Sequence, residues 1–192
     1  MSEPIVFAIV LAAGTSSRFG STKQLQNIDG SPMVRRAVEQ AEAVCGGNTI
    51  LVTGWDFEAV AAACRPLAGF FVVNENFDAG LGGSIACAVD AVSDVANAIL
   101  VTLADQPRVS AEHLGALIGR WRGERHGIVA TAYAGTAGAP VVFPESDFDA
   151  LSRLSGDRGA RALLDAHRER LITVACEEAA LDIDRREDLE KL

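Results

Sequence analysis

The chain has 192 residues, 49% hydrophobic and 22% charged, with 26 acidic against 17 basic side chains. That length suits one domain able to bury a real core, and the balance is that of an ordinary globular chain. A net charge of −9 argues against a nucleic-acid surface, which should be basic.

Ile5 to Ala13 is an apolar run rich in Ile and Val and broken by Gly14, the pattern of a buried strand. Thr15, Ser16 and Ser17 follow, then Arg18, Gly20 and Lys23, with no carboxylate between Glu3 and Asp29. This is a cationic island in an acidic chain. Small residues let backbone N–H groups approach an anion, and Arg and Lys add charge. Two readings fit: a phosphate-binding loop, or an ordinary strand-to-helix turn with two solvated bases. It is not a Walker A loop, because Lys23 does not directly follow the second glycine, and no G-x-G-x-x-G is present.

Ser31-Pro32 has the form of a helix start, a capping hydroxyl before a proline, with the helix running to about Val44 and stopping at Gly46-Gly47. Thr49 to Thr53 reads as the second strand. Asp56 is placed to cap a helix through about Cys64. Phe70 to Val73 is the third strand. Gly80 to Gly83 is a glycine-rich loop before a helix over Ser84 to Val92. Ala98 to Leu103 is nearly all apolar, as a central parallel strand should be.

Ser110 caps a helix to about Trp121. Strands follow at Ile128 to Tyr133 and Pro140 to Phe143. Ser146 to Asp149 has capping-box spacing. Helical segments are expected around Phe148 to Leu154 and Ala160 to Arg168, a strand at Leu171 to Ala175, and a terminal helical turn at Glu187 to Leu192. Alternation of strand and helix predicts a layered α/β domain over residues 1–192, with a mainly parallel sheet and ligands beyond the carboxyl ends of its strands. Gly14 and Asp105 both fall at such ends.

Cys45, Cys64, Cys87 and Cys176 are scattered, without a C-x-x-C pair, and read as reduced core residues. The first apolar run has no cationic stretch before it and is too short to span a bilayer. A soluble, cytoplasmic chain is the expectation. His113, His126 and His167 are isolated, without metal-ligand spacing. No G-x-S-x-G elbow or Cys–His signature supports covalent catalysis.

The remaining chemistry is acidic. Asp105-Gln106-Pro107 ends the strand at Leu103; Asp105 either holds a divalent ion against phosphates or caps the turn before Pro107. In an extended segment Asp182 and Asp184 share one face and Leu181 and Ile183 the other. Both acids either reach one site or are solvated. Gly82, Gly83 and Ser84 open a helix whose N–H groups suit a base or ribose edge, though a plain loop is equally compatible. Asn74 and Asn76 are not separable from turn formers. Asp157 and Arg161 either hold a ligand or pair across one helical turn.

Leu11-Ala12-Ala13-Gly14, Ser16, Arg18, Gly20 and Lys23 resemble the L-A-A-G-x-S-x-R-x-G-x-x-K signature of nucleotidyltransferases. Together with Asp105-Gln106-Pro107, Gly138-Ala139-Pro140, Gly156 to Arg161 and Asp182-Ile183-Asp184, in that order from Ile5 to Leu189, the chain resembles the MobA/MocA-like group, which includes molybdenum cofactor cytidylyltransferases. The resemblance implies a three-layer α/β/α fold of the nucleotide-diphospho-sugar-transferase type, with a mainly parallel mixed sheet. The N-terminal half would bind an NTP and the C-terminal half would shape the acceptor side.

By the same resemblance Arg18, Lys23 and Asp105 are catalytic. Leu11, Ala12, Ala13, Gly14, Gly82, Gly83 and Ser84 contact the nucleotide, and magnesium sits on Asp105 and Asp184, with Asp184 favoured over Asp182. Arg185-Arg186 replaces the family's Thr-Pro, which leaves the local turn open. The implied reaction is attack by an acceptor phosphate on an NTP, with pyrophosphate released. CTP is the first choice, because Ala13 stands where guanylyl-transferring relatives carry glycine, and a pterin-type cofactor is the implied acceptor. A molybdoenzyme or its chaperone would be a partner. Two alternatives stand beside it: a sugar or polyol phosphate as acceptor, and a non-catalytic nucleotide- or cofactor-binding chaperone.

Overall fold

In the computed structural model, which describes residues 3–66, 69–156 and 159–192, Val6–Leu11 (β1) is buried along its whole length. Alternate side chains serve two cores. Val6, Ala8 and Val10 face one cluster, and Phe7, Ile9 and Leu11 face the other. A strand covered on both faces must be apolar throughout, which is why this run shows no polar alternation.

After β1 comes a small antiparallel pair, Asn27–Ile28 (β2) with Ser31–Pro32 (β3). Met33–Cys45 (α1), Thr49–Thr53 (β4), Phe57–Cys64 (α2) and Phe70–Val73 (β5) follow. Leu81–Asp90 (α3), Ala98–Leu103 (β6), Ala111–Gly123 (α4), Ile128–Tyr133 (β7) and Thr136–Pro144 (β8) come next. Phe148–Leu151 (α5), Arg161–Ala166 (α6) and Leu171–Ala175 (β9) complete the order, joined by short 3₁₀ turns.

The main sheet has seven strands in the order β5-β4-β1-β6-β8-β7-β9. β1 pairs in parallel with β4 and β6, and β4 with β5. β8 runs antiparallel between β6 and β7, and β9 returns parallel to β7. The sheet is therefore mixed but mainly parallel in its N-terminal half, as expected. Residues of α1, α2 and α4 (Val38, Val60, Leu117, Trp121) pack on one face, and those of α3, α5 and α6 (Ile85, Phe148, Leu164) on the other. The chain leaves β1 toward β4 and later crosses to β6. The switch point therefore lies at the carboxyl end of β1, where such sheets bind ligands.

Several expected boundaries are corrected. Ser31 and Pro32 do not start a helix: they pair as β3, and α1 begins at Met33 with Pro32 extended at the cap (φ −55°, ψ 138°). Asp56 precedes α2 in the left-handed region, and its Oδ2 accepts from Thr22 Oγ1 at 2.6 Å instead of capping the helix. α3 starts at Leu81, so Gly82 and Gly83 belong to its first turn. The strand expected at Pro140 to Phe143 extends over Thr136–Pro144, because it carries the hairpin with β7. The expected box at Ser146 is absent; Asp147 is instead buried against Arg170, at 2.7 Å. Ser110 does cap α4, accepting from the His113 N–H at 3.3 Å.

Candidate active site

The loop after β1 is shaped by a buried amide. Gln24 Nε2 donates to the carbonyls of Ala12 (3.1 Å) and Gly14 (2.8 Å), and Gln24 Oε1 accepts from Ser16 Oγ at 2.9 Å. Ser16 Oγ in turn accepts from the Lys23 N–H at 3.1 Å. Ser16 (φ 55°) and Gly20 (φ 79°) take left-handed conformations, so the chain doubles back over this strut. Sequence reasoning missed Gln24. A single glutamine carries no spacing signal, and only its burial to 2% exposure marks it.

Lys23 is thereby aimed at two carboxylates. Its Nζ lies 2.7 Å from Asp105 Oδ2 and 2.7 Å from Asp184 Oδ1. Burial alone would lower the lysine pKa, but the charges and hydrogen bonds of Asp105 and Asp184 outweigh it and hold the pKa above its ordinary value. Arg18 Nη1 approaches Asp184 Oδ2 at 3.7 Å, with both side chains exposed. Asp182 does not share the lysine. Desolvation, then the neighbouring Asp105 and Asp184 carboxylates, push its pKa up to about 6, although the residue as a whole is exposed.

The segment bearing these acids is tied down at both ends. Ile183 is fully buried with Phe19, Ile28 and Met33, and its N–H donates to the Asp105 carbonyl at 2.9 Å. Asp188 Oδ2 accepts from the N–H groups of Asp184 (3.0 Å) and Arg185 (2.8 Å). Asp188 thus builds the turn that the missing Thr-Pro left open. Its pKa falls to about 2, chiefly through Lys191 and then these two N–H groups.

Asp105 Oδ1 is buried with no hydrogen-bond partner among the described residues. A carboxylate oxygen so placed calls for a cation. Among the described residues no cluster of three or more His, Cys, Asp or Glu forms a ready metal cage. The donor set is the pair Asp105 and Asp184, and magnesium usually takes one or two carboxylates with phosphate oxygens and water. The residues present fit that ion and not a zinc site.

A cleft of about 300 Å³ adjoins this pair. Leu11, Ala12, Ala13, Gly14, Lys23 and Asp105 form one wall, and Phe77, Gly80, Leu81 and Ser84 the other. Ser84 Oγ accepts from Asn74 Nδ2 at 3.0 Å, which fixes the head of α3 to the end of β5. Gly82 and Gly83 are not among the residues lining this cleft. A Cβ on Gly82 would stand 2.7 Å from the Ser155 nitrogen, and its own N–H donates to the Gly156 carbonyl at 2.9 Å. Gly82 therefore allows close backbone packing.

Beyond Asp105 lie the second-half motifs. Gln106 is buried, and its Nε2 donates to the carbonyls of Ala179 (2.8 Å) and Ala139 (3.3 Å). Gly138 lets the Tyr133 ring pass, since a Cβ there would meet Tyr133 Oη at 2.5 Å. Arg161 Nη2 donates to Thr136 Oγ1 at 2.8 Å. Asp157, the other candidate of this motif, lies outside the described residues. His113 Nε2 meets Thr131 Oγ1 at 2.8 Å, and Thr131 donates to the Pro140 carbonyl at 2.7 Å. His113 supports the β7–β8 hairpin and does not reach the cleft. All four cysteines are free thiols, and burial pushes Cys64 up to about 12 and Cys45 up to about 11.

Residues 8–171 match the family model of the MobA-like NTP transferase domain. The chain belongs to that family. Over 205 aligned residues this MobA-like chain is 32% identical to nicotine blue oxidoreductase of Paenarthrobacter nicotinovorans, covering 98% of the chain and 97% of the relative. Its structure is similar to that of Rv0371c from Mycobacterium tuberculosis (TM-score 0.84, 28% identity, 100% and 98% of the two chains). It is also similar to Rv0371c in complex with manganese (TM-score 0.80, 30% identity, 97% of each chain). Among the described residues of this MobA-like chain, no helix is long and apolar enough to cross a membrane.

Proposed function

We propose that this chain is a magnesium-dependent cytidylyltransferase that moves CMP from CTP to the phosphate of a molybdopterin-type cofactor. The observation that carries the reading is the convergence of Lys23, Asp105 and Asp184 beside a nucleotide-sized cleft. An oxygen of the acceptor phosphate bonds to the α-phosphorus, the α–β bridging P–O bond breaks, and pyrophosphate leaves with that electron pair. The attacking oxygen is already anionic near neutral pH, so no strong base is required. The work is alignment and charge neutralisation.

Lys23 and Arg18, with the N–H groups of the Gly14–Lys23 loop, would hold the triphosphate and the leaving pyrophosphate. Magnesium held by Asp105 and Asp184 would supply neutralisation of phosphate charge. The manganese complex of Rv0371c supports a divalent ion in this family. Ala13 on the cleft wall favours a smaller base, hence CTP. The second half of the chain, with Gly138 to Pro140 and Arg161, would shape the side from which the acceptor approaches.

Pyrophosphate release with magnesium, molybdopterin and each common NTP tests the proposal, with Asp105→Ala as control. Release with CTP, lost in the control, is expected. Turnover with GTP alone would overturn the choice of base. Turnover only with a sugar or polyol phosphate would overturn the acceptor.

A second reading is redox, and it rests on the 32% identity to nicotine blue oxidoreductase over 98% of this chain. A change of oxidation state of nicotine blue that requires this chain and a supplied two-electron donor or acceptor, and no pyrophosphate from any NTP, would decide for it.

A further inference from the structure

Arg186 stands where the resemblance leads one to expect proline, and its guanidinium reaches back across the whole chain to the anion loop. Its Nε donates to the Phe19 carbonyl at 3.3 Å, and its Nη2 to Ser21 Oγ at 3.4 Å. Its Cζ lies over the Phe19 ring, 5.4 Å from the centroid. Phe19 is itself buried beside Ile183, with Leu181 and Leu189 packed around them.

Two residues earlier, Asp184 meets Lys23 at 2.7 Å and Arg18 at 3.7 Å. The stretch Asp184 to Arg186 therefore contacts loop positions 18, 19, 21 and 23. Asp188 fixes that stretch through the N–H groups of Asp184 and Arg185. The loop needs such an outside hold. It turns through left-handed residues at Ser16 and Gly20, and in the interval from Ser17 to Thr22 its backbone bonds to itself only through Ser16 and Thr22 among the described residues.

We infer that Arg186 is a positioning residue for the triphosphate: it clamps Phe19 to Ser21 so that Arg18 and Lys23 are set before the nucleotide arrives. This rests on the proposed reading of the loop as the triphosphate site. Arg186 does not touch the cleft, whose lining it does not share. Its effect passes through the loop. Preorganisation lowers the ordering cost of binding, so its loss weakens groups gripped by the loop and spares the base and ribose.

Hydrogen exchange of the free protein and nucleotide binding test this together, with Arg186→Ala and Arg186→Lys. In Arg186→Ala, exchange of amides 18–23 should rise while the β1 and β6 amides stay protected. Affinity for CTP should fall about tenfold, as for one or two side chains newly immobilised on binding. Affinity for cytidine should not change. KM for CTP should rise with kcat held within about threefold, and Arg186→Lys, which keeps a donor for the Phe19 carbonyl, should recover most of the loss.

Unchanged exchange at 18–23 would overturn the clamp whatever the protein binds. Raised exchange with unchanged CTP affinity would overturn its role toward the triphosphate. An equal loss for cytidine and CTP would assign Arg186 to general stability instead. If the wild type bound no nucleotide, the reading of the site would fall and this role with it, and the exchange data would show which contact was real.

Discussion

Ile183 donates its backbone N–H to the carbonyl of Asp105 at 2.9 Å. This bond joins the end of β6 to a stretch 78 residues later in the chain, the difference of the two numbers, and sets Asp184 beside Asp105 with Lys23 between them. With Ile183 locked inward, its two acidic neighbours cannot exchange roles.

The first prediction follows from that lock. Asp105→Asn and Asp184→Asn should each lower the rate of pyrophosphate release by about 10²-fold, the size expected for losing one contact to developing charge. Asp182→Asn should stay within about tenfold, because Asp182 does not share Lys23. Steady-state rates of the three variants check it. A larger loss at Asp182 than at Asp184 would reverse the assignment.

Lys23 now neutralises the two carboxylates, so the nucleotide-free protein should hold a divalent ion weakly. Lys23→Met removes that internal cation and leaves acidic neighbours facing one another. Its affinity for manganese in the absence of nucleotide should rise by about tenfold or more, from uncompensated charge at short range. Its affinity for CTP should fall. Electron paramagnetic resonance of free manganese reads the first effect, and equilibrium dialysis the second.

Gly82 and Gly83 are neighbours with opposite expected responses. Gly82→Ala would drive a Cβ to 2.7 Å from the backbone nitrogen of Ser155 and should cost about 1–3 kcal/mol. Gly83→Ala would meet Asn74 Nδ2 at an ordinary 3.7 Å and should be neutral or stabilising by up to about 1 kcal/mol, from the better helix propensity of alanine. Urea unfolding of both variants checks the pair.

His113 should make stability depend on pH. Burial lowers its pKa, and the charge of Glu178 opposes this without winning. The unfolded chain takes up a proton near pH 6.5 while the folded imidazole resists it. Stability from this group is therefore complete above about pH 6.5 and declines as pH falls toward the lower folded value. The difference in unfolding free energy between wild type and His113→Gln, followed from pH 8 to 5, should narrow as the pH falls.

Much of the architecture was legible because it rests on local pattern. The apolar runs at Val6–Leu11 and Ala98–Leu103 read as buried strands and are strands, and the glycine and small polar residues after the first read as the loop that leaves it. The helix boundaries were less legible where tertiary contacts overrode a local signal. Ser31 looked like a cap but was taken into a two-residue pairing with Ile28. Asp56 looked like a cap but was claimed by Thr22. Ile28 lies only three residues from Ser31, across the Asp29-Gly30 turn, so there a local hairpin replaced the helix start. Thr22 lies 34 residues from Asp56, and no local rule sees such a partner.

The sequence by itself determined the order of the seven main strands and the helices between them, though not the β2–β3 pair, together with the cationic loop after β1 and the presence of acids at Asp105 and near Asp184. Those follow from residue type and short-range spacing, which act through the backbone and the hydrophobic effect along the chain. Only the tertiary structure decided that Gln24 shapes the loop, that Asp184 rather than Asp182 faces Lys23, that Gly82 serves packing and that Arg186 holds Phe19. The reason is physical. Hydrogen bonds and ion pairs depend on distance in space, and residues such as Phe19 and Arg186, 167 positions apart, meet only after the core has closed around β1.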